Sequence, residues 1–186
     1  MEEIELYLGE AQEMMDKAIK HTQAELQKIR AGKAMPSMVD GIYVDYYGVS
    51  TPLSQAATVS TPDARTILIR PFEKKMVSEI EKAIKNSDLG LNPQNDGENI
   101  RLNLPPLTEE RRRDLVKMSK VETEQGKVAV RNARKEINEA LRKLLKEGVS
   151  EDAVRDAEEK VQKFTDQHVA KLDTILESKE KEIMTV

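Results

Sequence analysis

The chain has 186 residues, enough to bury a sizeable core in one domain or two small ones. Charged residues make up 34% of it and aromatics 3%, with no Trp, which suits long amphipathic helices and argues against a β-rich fold or an aromatic-lined substrate pocket. The absence of Cys excludes disulfides and thiolate metal sites, and the formal net charge of -4 speaks against nucleic acid only if charge is spread evenly along the chain.

The opening residues, Met1 to Glu5, are acidic and carry neither the basic start and apolar run of a signal peptide nor the Arg-rich character of a transit peptide. No apolar stretch approaches the roughly 20 residues that span a bilayer, so a cytoplasmic protein with no membrane partner is expected. From Ile4, the residues Leu8, Ala11, Met15, Ala18, Leu26 and Ile29 keep the three-and-four spacing of one helical stripe. Gly32 and then Pro36 end that pattern, a glycine exit with proline beyond.

Between Met38 and Leu104 the texture changes. Ile42 to Tyr47, Ala57 to Val59, Thr66 to Ile69 and Ile100 to Leu104 are short, β-branched or aromatic, and bounded by Gly, Pro or Asp, which predicts strands. Met76, Ile80, Ala83 and Ile84 predict one helix among them, followed by a loop around Gly90, Pro93 and Gly97. Tyr43, Tyr46, Tyr47 and Phe72 all fall in this segment, a composition shift that marks a separate α/β module. Tyr46 and Tyr47 are neighbours on a predicted strand, so at least one should point into the core.

After Pro105 and Pro106, Thr108 with Glu109 and Glu110 reads as a helix start with acids at the positive end of the dipole. That helix is expected to run to about Lys146, stop at Gly148, and give way to another starting at Ser150, with Val154, Ala157, Val161, Phe164, His168, Leu172 and Ile175 on one stripe. The expected fold is α+β. An antiparallel three-helix bundle is made from 1–30 and 106–186, and a small α/β domain, 31–105, is inserted through hinges near 30–33 and 104–107.

Charge is polarised by helix. Residues 108–146 carry 12 basic against 7 acidic side chains, and residues 147–186 carry 6 against 11. With Val130, Ala133, Ile137 and Leu144 as the buried stripe, Arg113, Lys117, Lys120, Lys127, Arg131, Arg134, Lys135 and Arg142 fall on one flank, opposed there only by Glu124. A cationic flank roughly 40 Å long suits a phosphate backbone better than a small anion. For an arbitrary charged helix, the same pattern also serves solubility and helix pairing.

The run Lys127-Val128-Ala129-Val130-Arg131-Asn132-Ala133-Arg134-Lys135 resembles the signature of ribosome recycling factors. The resemblance extends to Ile29-Arg30-Ala31-Gly32-Lys33-Ala34, to Asp40-Gly41-Ile42 with Tyr46-Tyr47-Gly48, to Ser87 through Pro93, and to Pro105-Pro106-Leu107-Thr108-Glu109-Glu110-Arg111-Arg112. It implies an L-shaped two-domain arrangement and a monomer that binds the large ribosomal subunit through ribosomal RNA. It also implies that this monomer acts with elongation factor G, whose GTP hydrolysis drives separation of the subunits.

The residues that match the family's RNA-contacting positions are Arg131, Arg134 and Arg30, with Lys33, Lys127 and Lys135 beside them. Where many relatives have Gly-Arg-Ala, this chain has Gly32-Lys33-Ala34, which keeps the charge and loses the planar fork. Arg30, Gly32, Pro105 and Pro106 are the expected hinge residues, although a glycine helix exit and a proline stop account for the last three by themselves. With two histidines, no Cys and no phosphate-cradling Gly-rich run, no catalytic residue, metal ligand or cofactor is expected. Two other readings are a helical hairpin that grips client proteins through its acidic third helix, and a small hydrolase or transferase built on the middle domain's loops.

Overall fold

The computed structural model describes residues 2–29 and 32–185. Along the chain it forms helix α1 (Glu2–Lys28), strands β1 (Tyr43–Tyr46) and β2 (Val49–Pro52), a single turn α2 (Leu53–Ala56), strands β3 (Ala57–Asp63) and β4 (Thr66–Pro71), and helix α3 (Val77–Lys85). Strands β5 (Pro93–Asn95) and β6 (Ile100–Asn103) and helices α4 (Glu109–Lys143) and α5 (Glu151–Thr185) complete it. Packing divides the chain into two compact units, one of Met1–Arg30 with Glu109–Thr185 and one of Ala31–Thr108.

The first unit is a bundle of α1, α4 and α5. Ile4, Leu8, Ala11, Met15 and Ile19 of α1 meet Val130, Ala133, Ile137 and Leu141 of α4 and Val154, Ala157, Val161 and Leu172 of α5 in one apolar cluster. A groove that pairs Ala18 and Thr22 with Gly126 and Ala129 shows α1 running against α4. Another that pairs Gln23 and Gln27 with Ile175 and Lys179 shows it running alongside α5. On α4 the stripe is closed by Leu141, with Leu144 buried just beyond the helix in the short 3-10 turn Leu144–Glu147. Gly148 then takes φ 92, and Val149 donates its N–H back to the Leu144 carbonyl at 3.1 Å, a left-handed helix exit. Ser150 Oγ accepts the Ala153 N–H at 3.3 Å and caps α5.

Past Ile19 the bundle changes character. Thr22, Ser119, Thr123 and Thr165 are buried, and each hydroxyl donates to the carbonyl four residues earlier in its own helix at 2.8 to 2.9 Å, so none is left unpaired. Gly126 lies against Thr22 so closely that a Cβ there would overlap the Thr22 side chain. A polar tie crosses from α1 to α5: His168, buried on the α5 stripe, sets Nε2 2.8 Å from Asp16 Oδ1 and Nδ1 2.6 Å from the Phe164 carbonyl.

The second unit is an antiparallel four-stranded sheet in the order β3-β4-β6-β5, with β1 and β2 as a separate hairpin. Val77, Ile80 and Ile84 of α3 share a core with Val44, Leu53, Ile67, Ile69, Ile100 and Leu102. β2, α2 and β5 lie outside the predicted elements. Val49 to Pro52 has β-branched residues only at Val49 and Thr51 and ends on a proline, Pro93 to Asn95 has no β-branched or aromatic residue, and each is extended where β1 or β6 pairs with it. Tyr47 also departs from expectation, since it leaves the strand with φ 50 and forms the hairpin turn with Gly48 at φ 86. The rule that neighbouring strand residues face opposite ways therefore does not govern Tyr46 and Tyr47.

Candidate nucleic-acid interface

Helix α4 buries Leu115, Ser119, Thr123, Gly126, Val130, Ala133, Ile137 and Leu141, so the cations between them must leave the bundle along its flank. They divide into two rows. Those nearer α5 meet it residue for residue. Lys120 lies 3.8 Å from Glu180, Lys127 is 2.5 Å from Asp173, Arg134 donates to Gln162 at 3.3 Å, and Arg142 is 2.7 Å from Glu158. In the three charged pairs the two numbers sum to 300, the signature of antiparallel helices held in one register. The acidic excess of α5 is thus partly the counter-charge of α4.

The outer row makes no ion pair with α5 among the described residues. Arg113 pairs within its own helix to Glu109 at 2.8 Å and Arg131 to Glu124 at 3.3 Å. Lys117 and Lys135 are exposed and have no side-chain partner among the described residues. The sequence-predicted contact residues therefore stand in different settings. Lys127 is the most enclosed, with its side chain 17% exposed. Arg134 is half-buried over α5, and Arg131 and Lys135 are exposed on the outer row. Lys33 is exposed in the second unit, and Arg30 lies outside the described residues. Among the expected hinge residues, Gly32 takes φ 74 with its backbone against Leu107, where a Cβ would come within 2.7 Å of Leu107 Cγ, so no side chain is accommodated there. Pro105 and Pro106 are exposed on the return connection.

Arg112 carries no local signal of its role in the sequence. Arg112 reaches across the bundle and donates from Nη1 to the Met184 carbonyl at 2.9 Å, placing positive charge at the C-terminal end of α5, whose own last turn has no basic residue. Spacing within α4 cannot reveal a partner 72 residues away. Among the described residues no group of three or more His, Asp or Glu side chains is placed to hold a metal ion, and no helix is long and apolar enough to cross a membrane.

The arrangement is two-sided: a helix whose inner cations pair with a neighbour and whose outer cations face solvent along the same edge. Such an edge can take a phosphate backbone without disturbing the core. Comparison with known proteins agrees with the signature. The chain is 62% identical to the ribosome-recycling factor of Cytophaga hutchinsonii and 55% identical to that of Amoebophilus asiaticus, each over 186 residues and the full length of both proteins. A solution structure of the ribosome recycling factor matches with a TM-score of 0.72 and 41% identity over all of both chains. A second match, with a TM-score of 0.59 and 43% identity, covers 97% of this chain and 98% of that one. It is the T. thermophilus ribosome recycling factor in models with E. coli elongation factor G bound to the E. coli post-termination complex. The family model described as ribosome recycling factor matches residues 22–184, and the chain belongs to that family.

Proposed function

We propose that the chain is a non-enzymatic recycling factor of the cytoplasm, a monomer that binds the post-termination ribosome. With elongation factor G, and GTP hydrolysis by that partner, it promotes dissociation into subunits so that mRNA and tRNA are released. The full-length match to ribosome recycling factors carries this reading, together with the matched structure described with elongation factor G on a post-termination complex. Arg131, Arg134 and Lys135 contact ribosomal RNA of the large subunit. Arg131 and Lys135 do so from the open outer row, and Arg134 exchanges its neutral Gln162 partner for phosphate at small cost. Lys127 acts mainly by holding α4 to α5 in the register that presents the other three. Arg30 and Lys33 extend the contact at the first connection.

The connections near 30–33 and 104–107 serve as the hinge. Gly32 supplies a backbone conformation that a side chain would strain, and Pro105 and Pro106 stiffen the return. The factor supplies no chemical energy of its own. It needs only to bind the separated or rotated state of the subunits more tightly than the resting pair.

The test is co-sedimentation with isolated large subunits over a salt series, wild type beside Arg131→Glu with Arg134→Glu. Binding should fall while helicity and melting stay unchanged, and each lost phosphate contact should make the slope of log affinity against log salt shallower by about 0.7 to 0.9. Absence of wild-type binding at low salt would overturn the reading.

A further inference from the structure

One place on the second unit is built against its own sequence preferences. The register Tyr46↔Val49 leaves Tyr47 and Gly48 as a two-residue hairpin loop, with φ 50 and 86. A loop with two left-handed residues favours Asn, Asp or Gly at its first position, and Tyr47 is the one non-glycine residue with positive φ among those described. An aromatic residue there is strained, and burial does not compensate, because Tyr47 is 68% exposed.

What holds it is polar. The Tyr47 hydroxyl donates to one oxygen of Glu73, and the Tyr46 hydroxyl donates to the other at 2.9 Å. The two rings meet edge to face at 5.0 Å and 86°. At the base of the turn Asp45 Oδ1 accepts the Gly48 N–H at 2.7 Å. The hydrogen bond from Tyr47, then that from Tyr46, holds the Glu73 carboxyl below its ordinary range, so it is an anion at neutral pH. The hairpin tip therefore carries a fixed aromatic ring with its surface open, one carboxylate at its hydroxyl end and another under the turn.

We propose that this tip receives an arginine side chain of a protein partner, the guanidinium stacking on the exposed Tyr47 ring with its charge beside Glu73 and Asp45. A planar, weakly hydrated cation can stack and hydrogen-bond together, which a compact ammonium cannot. A nucleotide base could also stack, but its phosphates would approach two carboxylates. The site lies in the second unit and uses none of the RNA-contacting residues, so it goes beyond the recycling reading and can be tested without ribosomes.

The experiment titrates the isotopically labelled full chain with N-acetyl-arginine amide, with N-acetyl-lysine amide and with adenosine monophosphate, and follows backbone amide shifts by NMR. The arginine probe should move the Tyr47 and Gly48 amides about threefold more per unit concentration than the lysine probe. That excess should be lost in Tyr47→Leu and reduced in Glu73→Gln, which keeps one acceptor oxygen, puts a donating amide in place of the other and removes the charge. Equal slopes for the two cations, the largest response to adenosine monophosphate, no response localised at the tip, or an arginine excess that survives Tyr47→Leu would each overturn the proposal.

Discussion

The two units use charge in opposite ways. In the bundle, cations recur along α4 at heptad-like intervals and three of them meet acids on antiparallel α5 in reverse order, so charge is distributed over the helix length and no single pair is indispensable. In the second unit a single carboxylate, Glu73, gathers two hydroxyls that are 26 and 27 residues away in sequence, and both tyrosine hydroxyls at the hairpin tip rest on that one group. Periodic architectures spread an interaction along the chain, whereas a small sheet domain concentrates it.

The contrast can be tested, starting with the largest effect. Leu141→Ala removes a fully buried side chain from the apolar cluster and should cost about 2 to 5 kcal/mol. Hydrogen exchange should show the loss in α1, α4 and α5, and an equal loss in β4 and β6 would mean that the units unfold together.

Gly126→Ala should come next. Helix propensity favours alanine by about 1 kcal/mol, yet the new Cβ meets a β-branched Thr22 whose hydroxyl is engaged with the Ala18 carbonyl. A net loss of about 1 to 3 kcal/mol is expected in urea unfolding. Adding Thr22→Ala should recover stability, and no recovery would show that the close approach is set elsewhere.

Replacing Lys127 by Met should cost less, about 1 kcal/mol or below, because Asp173 remains more than half exposed and regains water. A loss as large as that of Leu141→Ala would mean that the pairs, not the stripe, hold α4 to α5.

The smallest effect concerns pH. The folded Glu73 carboxyl is depressed by its tyrosine hydrogen bonds, so its contribution is present above the ordinary carboxylate range and lost as pH falls through the depressed value. Tyr46 and Tyr47 are raised by their hydrogen bonds to Glu73, so theirs is present below pH of about 10 and lost as pH rises through the raised values. Tyrosine absorbance at alkaline pH should titrate earlier in Glu73→Gln, and an unchanged curve would break the clamp.

The bundle was legible in the sequence because its order repeats: the stripes from Ile4 to Met15, Val130 to Ile137 and Val154 to Leu172 each announce a buried face. The three-and-four spacing puts Ala18 on the first stripe, where Ile19 is the more buried, a one-position ambiguity that helical periodicity leaves whenever adjacent residues are both apolar. β2 and β5 were not legible, since partner strands create them. The basic flank could be read from spacing, but its division into an inner and an outer row could not. That depends on which side of α4 the fold places α5. The Tyr46–Tyr47–Glu73 cluster had no local signal, because a hairpin turn with a tyrosine at positive φ breaks the alternation rule.

Helix α1 differs from its two partners in how the chain delivers it. A short turn at Leu144–Glu147 and Gly148 joins α4 to α5, so that helical pair closes over neighbouring residues and can form early. The only covalent path from α1 to α4 runs through the whole second unit, and its tie to α5, Asp16 to His168, spans 152 residues. Loop-closure entropy rises only slowly with length, and a second unit folded first would bring its two ends together, since Gly32 lies against Leu107, and shorten the effective loop. An inserted unit that folded before the bundle would serve as its splint, with the notch at Gly126 and the Asp16–His168 tie setting where α1 stops.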